Sequence, residues 1–184
     1  MAKMNPATEI LLRYCIAMVV AIIALGFPLF YVIFRPLTIV PVFWLLQLFY
    51  NVSLRGMESL SVSGQEIILA DACIAGSAYM LLFLLNALTR EITFKRRVLL
   101  FLLGSLFLLV LNILRLFILI VMLVNNSVAF DFTHKAFWYF LSTVFVVAIW
   151  FFSVKIFKIG AIPFYSDIKF LIEQKRKRSL QQKI

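Results

Sequence analysis

The stretch "VLLFLLGSLFLLVLNILRLFILIVMLV", residues 98–124, decides the class of this protein. Almost every residue in it is apolar, and a helix of this length, rising about 1.5 Å per residue, exceeds the roughly 30 Å hydrocarbon core of a bilayer. The stretch therefore predicts a transmembrane helix. Its two conspicuous polar residues, Asn112 and Arg115, stand in the half of the helix that ends at residue 124.

The composition of the whole chain agrees with this prediction. The chain has 184 residues, of which 64% are apolar and 14% charged, and its mean hydropathy is +1.05. Soluble domains are closer to half apolar and a quarter charged. We therefore expect a single integral membrane domain, residues 1–184, with an all-α fold: a polytopic transmembrane helix bundle that carries a small extracytoplasmic β-hairpin.

Apolar runs bounded by charged residues or proline predict about five spans. Arg35 and Pro36 are expected to separate the first two, because proline cannot continue a helix and disfavours helix at the residue before it. If the second run is a re-entrant or surface helix, the count is four. The predicted spans cover about residues 10–34, 37–53, 73–89, 98–124 and 136–157.

A polar segment between the second and third spans has a different character. Residues 57–69 contain two short runs of β-type residues on either side of Ser63 and Gly64, which predicts a hairpin. A lone hairpin in hydrocarbon would leave its backbone edges unsatisfied. We therefore expect it outside the bilayer or covered by protein.

The positions of the basic residues predict the topology. The net charge is +10, and 12 of the 18 Lys and Arg residues lie either in the loop at residues 89–97 or between Lys155 and Lys183. Such clusters beside apolar spans mark the cytoplasmic side and contact anionic lipids, whereas no module for nucleic acid accompanies them. The tail, about 158–184, is therefore expected in the cytoplasm, and the hairpin outside. Five spans place the N-terminus outside, and four place it inside.

Arg115 is the most informative single residue. An arginine at this depth costs on the order of 3 kcal/mol unless it faces a polar interior, so it is a candidate functional residue. The alternatives are a side chain that reaches the outer headgroups, or a structural ion pair with an acid such as Asp71 or Asp131.

Two further residues are expected at the same outer level. Cys73 follows the hairpin at the start of the third span, after Asp71, which is a candidate N-cap. His134, the only histidine, opens the fifth span, and Asp131 either orients it or caps the helix. Histidine exchanges protons near neutral pH, and a cysteine thiolate near a cation is a nucleophile. Cys73, His134 and Arg115 together therefore suit nucleophilic catalysis with oxyanion stabilisation.

The stretches "DACIAG" and "NILR", with a histidine that opens the last span, resemble the exosortase/archaeosortase family of membrane cysteine transpeptidases. The resemblance covers about residues 40–157. It implies that Cys73 is the nucleophile, with Arg115 and His134 as the other catalytic positions and Asp71 and Asn112 in support. The family's usual Cys-Ser-Gly is replaced here by Cys73-Ile74-Ala75-Gly76, which shifts the glycine by one position.

The resemblance implies that the substrates are secreted proteins ending in a sorting signal: a short motif, a transmembrane helix and a basic tail. The enzyme would act at the outer face of the plasma membrane, form a thioester on Cys73 and pass the acyl group to an amine, including an amine carried by a lipid. No cofactor or metal site is expected. The alternative is a non-enzymatic membrane protein (a channel, transporter subunit or scaffold) in which Arg115 is structural.

Overall fold

The computed structural model describes residues 6–26, 29–89, 92–159 and 166–173, and most of these residues are helical. The helices are α1 Pro6–Gly26, α2 Leu29–Gln47, α3 Asp71–Ile74, α4 Gly76–Leu88, α5 Phe94–Val124, α6 Phe130–Ala136 and α7 Ser142–Ile156. A π-helical turn, Phe137–Leu141, joins α6 to α7. The strands are β1 Val52–Arg55, β2 Ser59–Val62 and β3 Gln65–Ile68.

Within the described residues, the helices support two or three membrane spans rather than five. Helices α2 and α5 are long and apolar enough to cross a membrane. The segments Phe130–Tyr139 and Ser142–Ile156, bent by 50° relative to each other, would form a third span if they cross together. The apolar part of α1, Ile10–Ile23, and the 13-residue helix α4 are shorter. At about 1.5 Å per residue α4 is only about 20 Å long, which is less than the hydrocarbon core.

The predicted break at Arg35 and Pro36 is wrong. Helix α1 ends at Gly26 and α2 begins at Leu29, so both residues lie inside α2, as does Pro41. Proline removes one backbone donor from a helix, but helices in apolar surroundings tolerate it where neighbouring groups satisfy the freed carbonyl. The consequence is that Arg35 belongs to a packed helix and presents its guanidinium to the elements that follow.

The predicted hairpin around Ser63 and Gly64 is confirmed, but it is part of a larger sheet. Strands β2 and β3 pair antiparallel around this turn, and β1 pairs antiparallel with the other edge of β2. The sequence analysis missed β1, because it assigned part of this strand to the second span. Leu60 and Val62 of the central strand are completely buried and attach the sheet to the helical core.

Helix α4 lies at the centre of the bundle, where it packs against α1, α2, α5 and α7. Its Tyr79 is completely buried and stacks on Phe34 of α2. Gly104 lets α5 approach closely, because a Cβ atom there would lie only 3.1 Å from the Leu82 side chain. Small residues at helix contacts allow such approach in membrane proteins.

Charged residues secure the ends of the bundle. Arg97 of α5 donates hydrogen bonds to the carbonyl oxygens of Asn86, Ala87 and Thr89, so it satisfies acceptors at the end of α4. Residues 166–173 of the predicted tail are helical. Asp167 of this segment is buried and pairs with Arg13 of α1. The tail beyond residue 173 lies outside the described residues.

Candidate active site

The stretch around Cys73 forms two helices instead of the single third span that the sequence predicts. Helix α3 is one turn long and ends at Ile74. Its C-cap, Ala75, has a left-handed φ of 58° and ψ of 31°, and α4 begins at Gly76. A left-handed residue turns the chain and ends the α-helical hydrogen-bond pattern. Cys73 therefore lies in a short turn ahead of α4. It is outside the described helices that are long and apolar enough to cross a membrane.

Ala75 leads to a stability prediction. Left-handed backbone costs an L-residue with a Cβ about 1–2 kcal/mol, whereas glycine adopts it freely but loses more entropy on folding. We therefore expect Ala75→Gly to raise the free energy of unfolding by about 1 kcal/mol, measured by thermal unfolding in detergent. Ala78→Gly is the matched control, because Ala78 is similarly buried but lies within α4. It should lower stability by about 1 kcal/mol. A loss of stability in both variants would contradict the prediction.

Asp71 has a different role from the predicted N-cap. The N-cap of α3 is Ala70, and no side chain caps this helix end. Instead, the Asp71 carboxylate pairs with Arg35 of α2, which also pairs with Glu58 at 2.7 Å. Arg35 thus joins α2, the loop before β2 and the start of α3. This prediction failed because Arg35 was assigned to a break between helices and not to a packed helix.

Asn112 supports the Cys73 turn directly. Its side chain is 3% exposed, and its Nδ2 donates a hydrogen bond of 3.0 Å to the carbonyl oxygen of Cys73. This bond joins α5 to the backbone of the cysteine itself. The thiol is free and half-buried. Cys15, the other cysteine, is exposed on α1.

Cys73 and His134 line the same cavity, which has a volume of about 180 Å³. Most of its wall is apolar, with contributions from β3, α5 and α6. The His134 ring stacks on Phe130, with centroids 5.5 Å apart, and meets the edge of Trp138 at 5.7 Å. Aromatic neighbours therefore orient the imidazole.

Asp131 performs neither of the roles expected of it. Its side chain is exposed, and among the described residues no hydrogen bond joins it to His134. The N-cap of α6 is Ala129, and no side chain provides a cap there. The spacing of three residues put Asp131 near His134 along the helix, but the stacked Phe130 ring takes the position beside the imidazole.

Arg115 lies in an adjoining cavity of about 300 Å³. The two cavities share Ala72 and Trp138 as walls. Arg115 is only 7% exposed, donates a hydrogen bond of 3.1 Å to Ser142 Oγ, and lies over the Phe137 ring at 5.8 Å. Neither Asp71 nor Asp131 pairs with it in the described structure. The alternative prediction of an ion pair with one of these acids is therefore wrong.

Sequence reasoning missed Ser142. Its hydroxyl accepts the bond from Arg115 and donates to the carbonyl oxygen of Phe137 at 2.6 Å, across the π-helical turn. Short π-helical turns within α-helices occur often at functional sites. The sequence shows a serine within an apolar helix, but it does not show that this serine bonds to Arg115. That contact depends on the π-helical turn.

Burial and neighbouring groups have opposite effects on the pKa of the Cys73 thiol. Burial raises the pKa of the Cys73 thiol, whereas the Arg115 guanidinium and a backbone hydrogen bond at Ala70 act to lower it. Burial has the larger effect, so the thiol is neutral at neutral pH. The nucleophile therefore needs a base to accept its proton, and His134 lines the same cavity.

Comparison of the chain with models of protein families, with curated proteins and with solved structures gives no match. Among the described residues, no group of three or more His, Cys, Asp or Glu side chains is placed to hold a metal ion.

Proposed function

We propose that this protein is a membrane-embedded cysteine endopeptidase and transpeptidase with Cys73 as its nucleophile. The observation that carries the proposal is the cavity lined by both Cys73 and His134, with Arg115 in the adjoining cavity and close enough to affect the Cys73 thiol. A thiol, an imidazole and a guanidinium are the groups that acyl transfer requires: a nucleophile, a base and a cation for the developing oxyanion.

In the proposed reaction, His134 accepts the thiol proton and the Cys73 sulfur attacks the carbonyl carbon of the scissile amide. The C–N bond of the tetrahedral intermediate breaks, and the amine leaves with the proton held by His134. The acyl group remains on sulfur as a thioester. An acceptor amine then attacks the thioester, its proton passes to His134, and the Cys73 thiolate is released. Water in place of the amine gives hydrolysis.

Charge placement supports a proposed arrangement in the plasma membrane. In it α1, α2, α4, α5 and the α6–α7 pair are the five passes, the sheet and α3 lie on the extracytoplasmic side, and the C-terminus is cytoplasmic. The basic residues at the start of α5, Lys95, Arg96 and Arg97, favour the cytoplasm for that end. Since α4 has only 13 residues, this arrangement requires a locally thinned bilayer around it.

The left-handed Ala75 adds support for membership of the exosortase/archaeosortase family. A Cys-Ser-Gly pattern places its glycine two residues after the cysteine, and this is the position of Ala75. The backbone there has the conformation that glycine favours. The departure from the family pattern is thus a change of side chain at a position whose backbone suits glycine. On this basis the substrates are secreted proteins with C-terminal transmembrane sorting signals, and the acceptor is an amine, including that of a lipid.

Hydroxylamine tests the proposed thioester. Added at neutral pH to membranes of the native host, it should capture the acyl group and leave a C-terminal hydroxamate on secreted single-helix proteins, detected by mass spectrometry. Cut proteins without hydroxamate would contradict a thioester intermediate. If no secreted single-helix protein is cut at all, the peptidase proposal is wrong and the chain is better described as a non-enzymatic membrane component.

A further inference from the structure

Arg115 is a buried cation without an anionic partner. It is 7% exposed, and no carboxylate lies within 4.0 Å of its guanidinium in residues 6–26, 29–89, 92–159 and 166–173. Its contacts there are the Ser142 hydroxyl and the Phe137 ring, both of which are neutral. An unpaired buried charge is unfavourable, and charged residues in apolar segments face partners or polar cavities. Among the acids that the structure describes, none therefore neutralises this positive charge.

The cavity beside Arg115 is suited to an anion. Besides the guanidinium, its wall includes the hydroxyl residues Ser77, Ser142 and Thr143, and no acidic residue is among the lining residues that the structure describes. Ser142 already donates to the Phe137 carbonyl and accepts from Arg115, so it holds the guanidinium in place. Guanidinium and hydroxyl groups are donors that bind oxyanions.

The position of this cavity relates it to Cys73. Cys73 is absent from its wall, but Ala72 and Trp138 separate it from the cavity that Cys73 and His134 line. A molecule that reacts at Cys73 therefore extends past these two residues to occupy this cavity. The guanidinium has five N–H donors, enough for an anionic group in the cavity as well as the oxyanion formed at Cys73. Arg115 is the only cation among the described residues of the wall, so it matches a group with a single negative charge.

We propose that the Arg115 cavity is a binding site for a carboxylate carried by the molecule that reacts at Cys73. Anion binding by this cavity is independent of the chemistry at the thiol. Only the assignment of the carboxylate to the reacting molecule rests on the proposed function.

Two alkylating reagents of nearly equal shape test the site. Iodoacetate carries a carboxylate, and iodoacetamide is its neutral counterpart, so the ratio of their rates with Cys73 reports charge preference. Taking this ratio also cancels any change in the ionisation of the thiol. In the purified Cys15→Ser protein, we expect Arg115→Gln to lower the ratio of iodoacetate to iodoacetamide by about tenfold. Arg115→Lys, which keeps the charge, should lower it much less.

The control is the exposed thiol of Cys15, measured in the Cys73→Ala protein. The ratio of iodoacetate to iodoacetamide rates at Cys15 should not change when Arg115→Gln is added. If Arg115→Gln does not fold, Ser142→Ala should lower the Cys73 ratio by a smaller factor, because it releases the guanidinium without removing it. An unchanged ratio in whichever of these two variants folds overturns the anion site.

Competition identifies the anion. Acetate should slow alkylation of Cys73 by iodoacetate more than dimethyl phosphate does at the same concentration. The opposite order would assign a phosphodiester, as in a lipid headgroup, and overturn the carboxylate. Alkylation needs no catalytic turnover, so this experiment is independent of the hydroxylamine experiment. If iodoacetate is preferred but no hydroxamate forms, the anion site stands and the proposed transpeptidase activity is rejected.

Discussion

Replacing Cys73 by alanine is expected to abolish processing of secreted single-helix proteins, lowering the rate of cleavage by about 10⁴-fold or more. The loss is large because the proposed reaction forms a covalent bond to sulfur, and no other group that the structure describes in this cavity is a nucleophile of comparable strength. The measurement is the C-terminal state of these proteins in the native host, determined by mass spectrometry.

Cys15→Ala is the matched control, because it removes the chain's other thiol from an exposed position on α1. It should process substrates as the unmodified protein does. Cys73→Ala should also reach the membrane at a normal level, since the Asn112 side chain bonds to the backbone carbonyl of residue 73 and not to its sulfur. Normal processing by Cys73→Ala, at normal abundance, would reject the cysteine mechanism and favour a non-enzymatic membrane protein.

Replacing Arg115 by glutamine is expected to slow the same reaction by about 10²- to 10³-fold, the usual effect of removing a group that stabilises a developing oxyanion. A second consequence concerns pH. Burial raises the pKa of the Cys73 thiol and Arg115 opposes that rise, so removing Arg115 raises this pKa further. The rate of alkylation by iodoacetamide, which follows the thiolate, should therefore rise at a higher pH in Arg115→Gln than in the unmodified protein.

The control for this charge change is Arg55→Gln, since Arg55 is an exposed cation on strand β1. It should leave both the rate and the pH profile unchanged. Arg115→Gln with a normal rate of processing would show that the guanidinium is structural, and an equal shift of the pH profile in Arg55→Gln would show that net charge, not position, controls the thiol.

The sequence predicted those residues of the candidate site that are polar or reactive and stand beside apolar runs. Cys73, Arg115 and His134 are a thiol, a charge and an imidazole near apolar runs, and such residues are rare there because burying them is costly. The structure places Cys73 and His134 on one cavity and Arg115 on the next. Asn112 was also visible as an amide inside an apolar helix, but its bond to the Cys73 carbonyl was not.

The errors arose where a residue's role depends on a partner distant in sequence. Asp71 has the features of an N-cap, yet it pairs with Arg35, 36 residues earlier. Strand β1 forms because β2 offers it an edge, and four residues carry too weak a pattern to predict that pairing. The error at Asp131 is local instead: Asp131 has helical spacing to His134, but the Phe130 ring, from the same helix, stacks on the imidazole.

The apolar composition and the periodic runs by themselves determined that this protein is mostly helical, associates with a membrane and carries a small hairpin, because these properties follow from local transfer free energies and turn preferences. Only the tertiary structure decided that Ala75 turns left-handed and separates the cysteine turn from α4, that Ser142 holds Arg115, and that two cavities meet at Ala72 and Trp138. These features depend on which helices pack together, and that packing is a property of the whole chain and not of any window along it.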